Sequence, residues 1–202
     1  MGRGRGGSIT VVLDDGSTLE IDTQTLNEYG LYTGIALSPR QISELKNRSI
    51  YFSCLNAAMH FLSHRERSKK EVTVKLRQRG FSHETIQAVI AKLEEKQLVN
   101  DVEFARTWTD NRRTFHPKSR LLIIRELKQK GISGDIIENV VADLDDNESA
   151  FQAGLKKSRL LRALPRDEFS LKLSRYLQGK GFSYSVAEHA VERLWQNRKL
   201  GY

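Results

Sequence analysis

A repeat with a period of 50–51 residues constrains this chain more than any other feature. Gly80, Gly131 and Gly181 are each followed by an apolar residue and a serine: Gly80-Phe81-Ser82, Gly131-Ile132-Ser133 and Gly181-Phe182-Ser183. A leucine stands four residues before each glycine (Leu76, Leu127, Leu177), and another thirteen residues after it (Leu93, Leu144, Leu194). Such spacing describes one supersecondary module used three times, each copy burying part of its apolar surface against the next.

The repeated tripeptide has a local physical meaning. A glycine just past a helix end supplies the left-handed backbone that closes it, and the next apolar residue packs back on the leucine four residues before the glycine. The serine then caps the following helix. Gly-apolar-Ser therefore predicts a helix–turn–helix corner. Ser68-Lys69-Lys70-Glu71 reads as a capping box opening the middle helix of repeat one. Pro117 and Pro165 suit the first turns of the equivalent helices. Ile86, Val89, Ile90 and Leu93, then Ile137, Val140, Val141 and Leu144, form apolar stripes at helical spacing. These signals place three-helix repeats at residues 49–99, 100–145 and 146–202.

The first stretch follows other rules. Ile9–Leu13 and Ser17–Ile21 are β-prone segments around Asp15-Gly16, a strong hairpin signal. A short helix is expected over Leu37–Leu45, with Ser38 as N-cap and Pro39 at its first position. Residues 8–48 thus read as a β-hairpin plus short helix, and the glycines and arginines of residues 1–7 as a disordered tail. The expected class is mainly α, with a small N-terminal β-hairpin region.

The formal net charge of +8 is unevenly distributed. Residues 65–80, 112–130 and 154–180 carry +5, +6 and +6, whereas residues 135–148 hold six acids and no lysine or arginine. Positive charge gathers at corresponding places in the three repeats. The candidate contacts are Arg65, Arg67, Lys69, Lys70, Lys75 and Arg77 in repeat one. In repeat two they are Arg112, Arg113, Lys118, Arg120, Arg125 and Lys128, and in repeat three Lys156, Lys157 and Arg175. A shared basic face fits a phosphate backbone, an acidic protein surface, or both.

Catalytic and metal chemistry find no such support. His60 and His64 have metal-ligand spacing but lack a third ligand, and His83-Glu84 has no second histidine four residues on. Asp143, Asp145 and Asp146 read as solvated acids at a helix end. Cys54, the one cysteine, reads as a buried small residue. No cofactor is expected, no enzyme activity, and no membrane span or signal peptide. The composition suits a soluble cytoplasmic protein.

Three blocks carry a family resemblance. His64-Arg65-Glu66-Arg67-Ser68 with Val72 and Leu76–Phe81 resembles the first conserved block of the RecX regulatory proteins. Asn100–Ala105 and Arg120 through Glu126–Ile132 resemble the second, and Tyr176–Phe182 the C-terminal block. The N-terminal region resembles an extension of longer members. Thr114-Phe115-His116-Pro117 departs from the small, glycine-containing link of the family. The resemblance implies tandem three-helix repeats forming an elongated, curved array, monomeric, that binds the RecA recombinase and the RecA–DNA filament. It further implies modulation, chiefly inhibition, of strand exchange and ATP hydrolysis, within DNA repair, recombination and the SOS response. Weak direct DNA binding is compatible with the basic faces. Two alternatives compete: a helix–turn–helix DNA-binding architectural or transcription protein, and a helical scaffold whose basic face is incidental. Against sequence-specific DNA reading, the third helices are acid-rich.

Overall fold

The structure, a computed structural model, describes residues 2–3 and 8–199. The protein is mainly α and forms two compact units, residues 1–100 and 101–202.

The first unit opens with a small antiparallel sheet, β1 (Gly2–Arg3), β2 (Ser8–Val12) and β3 (Thr18–Asp22), in that order. The expected hairpin is β2–β3, with Val11 opposite Leu19 and Ile9 opposite Ile21. Gly16 takes φ +77° in its turn, and the Asp15 carboxylate accepts the Ser17 amide at 2.8 Å. Because side chains alternate along a strand, Val11, Leu19 and Ile21 fall on one face and build a core with Leu31 and Leu45. Gly2 and Arg3 pair with Thr10 and Ile9, so this part of the expected tail is a strand. Residues 1 and 4–7 of that tail lie outside the described residues.

After α1 (Thr23–Glu28), a single helix α2 runs from Pro39 to Leu62. It starts where expected: Ser38 and Gln41 form a complete capping box ahead of Pro39. It does not stop at Leu45 but continues through the 48/49 boundary. Lys46-Asn47-Arg48-Ser49 contains neither glycine nor proline, and the buried face continues through Ser49. The Ser49 hydroxyl accepts the Glu20 amide at 3.0 Å, fastening β3 to the helix. The second half of α2 joins α3 (Lys69–Gln78) and α4 (His83–Glu95) around another core. There the small side chains of Cys54, Ala57 and Ala58 meet Val72, Leu76, Val89 and Ile90. Burial pushes the Cys54 thiol up to about 11, so it stays protonated at neutral pH.

The second unit holds two three-helix groups. Helices α5 (Asp101–Thr114), α6 (Arg120–Gln129) and α7 (Gly134–Val141) enclose Phe104, Ala105, Ile123, Leu127 and Ile137. Helices α8 (Asp146–Leu160), α9 (Arg166–Gly179) and α10 (Tyr184–Lys199) enclose Phe169, Leu173, Leu177, Ala187 and Leu194. Gly154 lets α8 and α10 pack closely, since a β-carbon there would lie 2.4 Å from Leu194 Cδ1.

All three repeat glycines close helices by the same hydrogen bonds. Gly80, Gly131 and Gly181 sit at φ +84° to +89°. The following amides of Phe81, Ile132 and Phe182 reach back to the carbonyls of Leu76, Leu127 and Leu177. The glycine amides reach Arg77, Lys128 and Gln178, completing a Schellman motif each time. Ser82 and Ser183 accept the amides of Thr85 and Val186. Ser133 departs from the pattern: it makes no capping bond to the backbone, and its hydroxyl serves the Asp135 carboxylate instead.

The prolines stand earlier than expected. Pro165 is itself the N-cap of α9, and Pro117 lies two residues before Ser119, the N-cap of α6. Ser119 takes that position because its hydroxyl accepts the Leu122 amide, which proline cannot do. The acids at 145 and 146 are also employed. Asp145 caps α8 through the Asn147 amide, while Asp146 accepts the Arg120 amide at 2.7 Å, joining the starts of α8 and α6.

Candidate binding surface

The middle helix of each repeat buries one face, at Val72 and Leu76 in α3, Ile123 and Leu127 in α6, Leu173 and Leu177 in α9. Helical periodicity then fixes which positions point outward. Ten, six and three residues before the corner glycine stand Lys70, Val74 and Arg77 in α3; Leu121, Arg125 and Lys128 in α6; Leu171, Arg175 and Gln178 in α9. All nine are exposed. Each outward strip thus combines one bare aliphatic side chain with cationic or polar neighbours. Among the described residues, Arg77, Arg125, Lys128 and Arg175 make no ion pair.

Other candidate cations hold the fold together. Arg65 donates to both oxygens of Glu71, the capping-box carboxylate of α3, at 2.9 and 3.3 Å. Lys69 bridges α3 to α4 through Glu94 at 2.8 Å. Arg113 pairs with Asp110 one turn earlier at 3.2 Å. Arg112 and Lys118 both bind Glu126, Arg112 Nε at 2.7 Å, and Trp108 Nε1 adds a third donor at 2.9 Å. Burial pushes the Glu126 pKa up, but the bonds from Arg112, Lys118 and Trp108 outweigh it and hold the carboxyl below its ordinary value. Arg120 contributes its backbone amide to Asp146, its side chain being exposed, and Lys156 is likewise exposed.

A further group of cations stacks on aromatic rings. Arg67 lies 4.1 Å above Phe61, and Lys75 Nζ is 5.8 Å from the same ring centre. Arg112 and Lys130 flank Trp108 at 4.4 and 5.1 Å. Lys157 and Lys180 flank Tyr176 at 5.8 and 5.2 Å. Every repeat therefore presents one ring bearing two cations. The basic windows in the sequence point to these lysines and arginines, whereas the rings have no sequence signal of their own: they emerge when the first and middle helices come together. The same holds for Val74, Leu121 and Leu171, which look like core residues until their helix phase is known.

Neutralisation is uneven across the repeats. Acids of the third helices reach basic partners, with Glu94 on Lys69 and Glu192 on Arg166, and Arg193 of α10 turns to Glu148 of α8. Arg77, Arg125, Lys128 and Arg175 stay outside these pairings among the described residues. In a cleft of about 370 Å³ between α5 and α7, lined by Val102, Arg106, Thr109 and Asp143, the buried Thr109 hydroxyl has no hydrogen-bond partner among the described residues. No three histidine, cysteine or acidic side chains among the described residues are grouped to hold a metal, and no described helix is long and apolar enough to cross a membrane.

The fold is that of a helical protein built from tandem three-helix modules with repeated basic strips. Models of the first, second and third three-helix domains of RecX match residues 54–93, 100–141 and 145–191. The regulatory protein RecX of Clostridium perfringens (strain SM101) is 28% identical, over 95% of this chain and 92% of its own length. That of Streptococcus uberis is 31% identical, over 87% of this chain and 68% of its own. A crystal structure of regulatory protein RecX superposes with a TM-score of 0.69 at 24% identity, covering 93% of this chain and 94% of that one. The chain belongs to the RecX family of regulatory proteins.

Proposed function

We propose that this chain regulates the RecA recombinase by binding RecA and its DNA filament, lowering strand exchange and ATP hydrolysis without chemistry of its own, in the cytoplasm. Family membership supports the partner. The observation that carries the mode of contact is the outward strip of the middle helices, where Arg77, Arg125, Lys128 and Arg175 hold similar helix phases and no ion pairs among the described residues. Each strip offers charge for phosphate or carboxylate and an aliphatic side chain for apolar contact, a combination suited to a surface where nucleic acid and protein lie side by side. Sequence-specific DNA reading fits less well. Helix α7 has only eight residues with Asp135 in its first turn, and α4 opens with Glu84, so phosphates would repel both.

Sedimentation with RecA filaments formed on single-stranded DNA tests this reading. The wild-type chain co-sediments, and the combined Arg77→Glu, Arg125→Glu, Arg175→Glu variant loses about tenfold or more in affinity while keeping its melting temperature. Binding to free DNA is weak, without sequence preference, and falls steeply with added salt. Co-sedimentation unchanged in the triple variant contradicts the proposed contact surface. Tight, sequence-dependent binding to naked DNA in its place favours the helix–turn–helix reading.

A further inference from the structure

Repeats one and two differ at equal distances from their corner glycines. Thirteen residues before the glycine stands Lys118 in repeat two and Arg67 in repeat one. Five residues before it stands Glu126 in repeat two and Lys75 in repeat one. In repeat two the carboxylate completes the cluster: Oε2 takes Trp108 Nε1 and Arg112 Nε, and Oε1 takes Lys118 Nζ. Repeat one has the cations and the ring but no such carboxylate. Arg67 and Lys75 share the face of Phe61, and neither makes an ion pair among the described residues. Arg67 Nε is buried with no hydrogen-bond acceptor. Burial chiefly, then the neighbouring charge of Arg65, lowers the Arg67 pKa, with Glu71 offsetting only part. A buried donor without an acceptor and two like charges on one ring both cost stability, and one incoming anion relieves both.

We propose that Phe61, Arg67 and Lys75 form a receptor for an acidic side chain of the protein partner, which takes the place that Glu126 fills internally in repeat two. Repeat three supports the distinction. Its residue five before the glycine is Tyr176, which carries its own two lysines, and none of its donors is left buried without an acceptor among the described residues. The ligand chemistry is a carboxylate because the built example in this same fold is one. The inference rests on the RecA-binding reading for its physiological partner, but not for its chemistry.

Substituting Lys75→Glu supplies the carboxylate from within and separates a receptor from a structural cluster. Fluorescent hexaglutamate and a short oligothymidylate serve as probes in anisotropy titrations of the full chain. Wild type binds hexaglutamate; Lys75→Glu loses about tenfold or more in affinity, the equivalent of one charge-assisted hydrogen bond, yet melts no lower than wild type. Lys75→Gln keeps the fold and also binds hexaglutamate more weakly, so the test does not depend on one variant. Lys46→Glu, the same charge change at an exposed site on α2, leaves binding within twofold of wild type. The inference is overturned if wild type does not bind hexaglutamate, if both Lys75 variants bind like wild type, or if Lys46→Glu weakens binding equally. It is also overturned if the loss falls on oligothymidylate alone, which would assign the cluster to phosphate. Filament sedimentation of the wild-type chain, run beside these titrations, reads the RecA-binding proposal separately: its failure with hexaglutamate binding intact sinks that proposal and leaves the receptor standing.

Discussion

Glu126 shows how one side chain decides whether a basic cluster is structure or surface. Its depressed pKa makes it a stabilising group above the unfolded carboxylate value of about 4.3, and that stability is lost as pH falls through the lower folded value. Glu126→Gln is therefore expected to cost about 2 kcal/mol at neutral pH, and its difference from wild type to shrink in acid as the native carboxyl protonates. Urea titrations at neutral and acidic pH measure both. The corner glycines separate two effects in the same way. Gly80→Ala meets open space and bears only the left-handed strain, about 1 kcal/mol. Gly181→Ala bears that strain and also places a β-carbon 2.5 Å from the buried Ser119 hydroxyl and 3.0 Å from Leu122 Cβ, so its melting temperature falls further. The glycines were legible in the sequence because left-handed backbone selects for them. Gln97 was not. It ends α4 at φ +56° with the same backward bonds to Leu93 and Glu94, and a glutamine carries no signal for that conformation.

At the scale of elements, α2 was the part least visible in advance. Its N-cap could be read from Ser38-Pro39, and its last turns from the first repeat block, but nothing local says whether two helical signals are one helix. Continuity follows from a missing breaker and from a buried stripe that passes from the sheet core at Leu45 to the three-helix core at Cys54. Asn47→Pro tests that continuity. Losing one helical hydrogen bond and introducing a ring clash costs about 3 kcal/mol. Hydrogen exchange should quicken in β2 and β3, which lean on the first half of α2, while α3 and α4 keep most of their protection. Equal loss in all four would show that the two cores of the first unit unfold as one. The middle helices were legible in composition but not in use. Charge windows mark Arg65, Lys69, Arg112 and Lys118 as readily as Arg77, Arg125 and Arg175, yet the first four are committed to Glu71, Glu94 and Glu126. Only a structure tells a paired cation from an unpaired one, because the pairing partner lies on another element or after a turn.

For the whole molecule, the repeat made the α-helical class and the modular order readable, since a period near fifty with capped corners leaves few other folds. Family membership supports the proposed partner, and the strips and the Phe61 cluster are the proposed contacts. Those contacts are distributed over all three repeats, so no single charge reversal should abolish function, and reversals in separate repeats should combine almost additively in binding free energy. ATP hydrolysis by RecA on single-stranded DNA, followed while this protein is titrated in, reads whether the chain acts on RecA itself. The rate should fall with added chain and the Arg77→Glu, Arg125→Glu, Arg175→Glu variant should need about tenfold more to match it; a rate that stays constant up to saturating wild-type protein, with no chain bound to the filaments, would contradict the account.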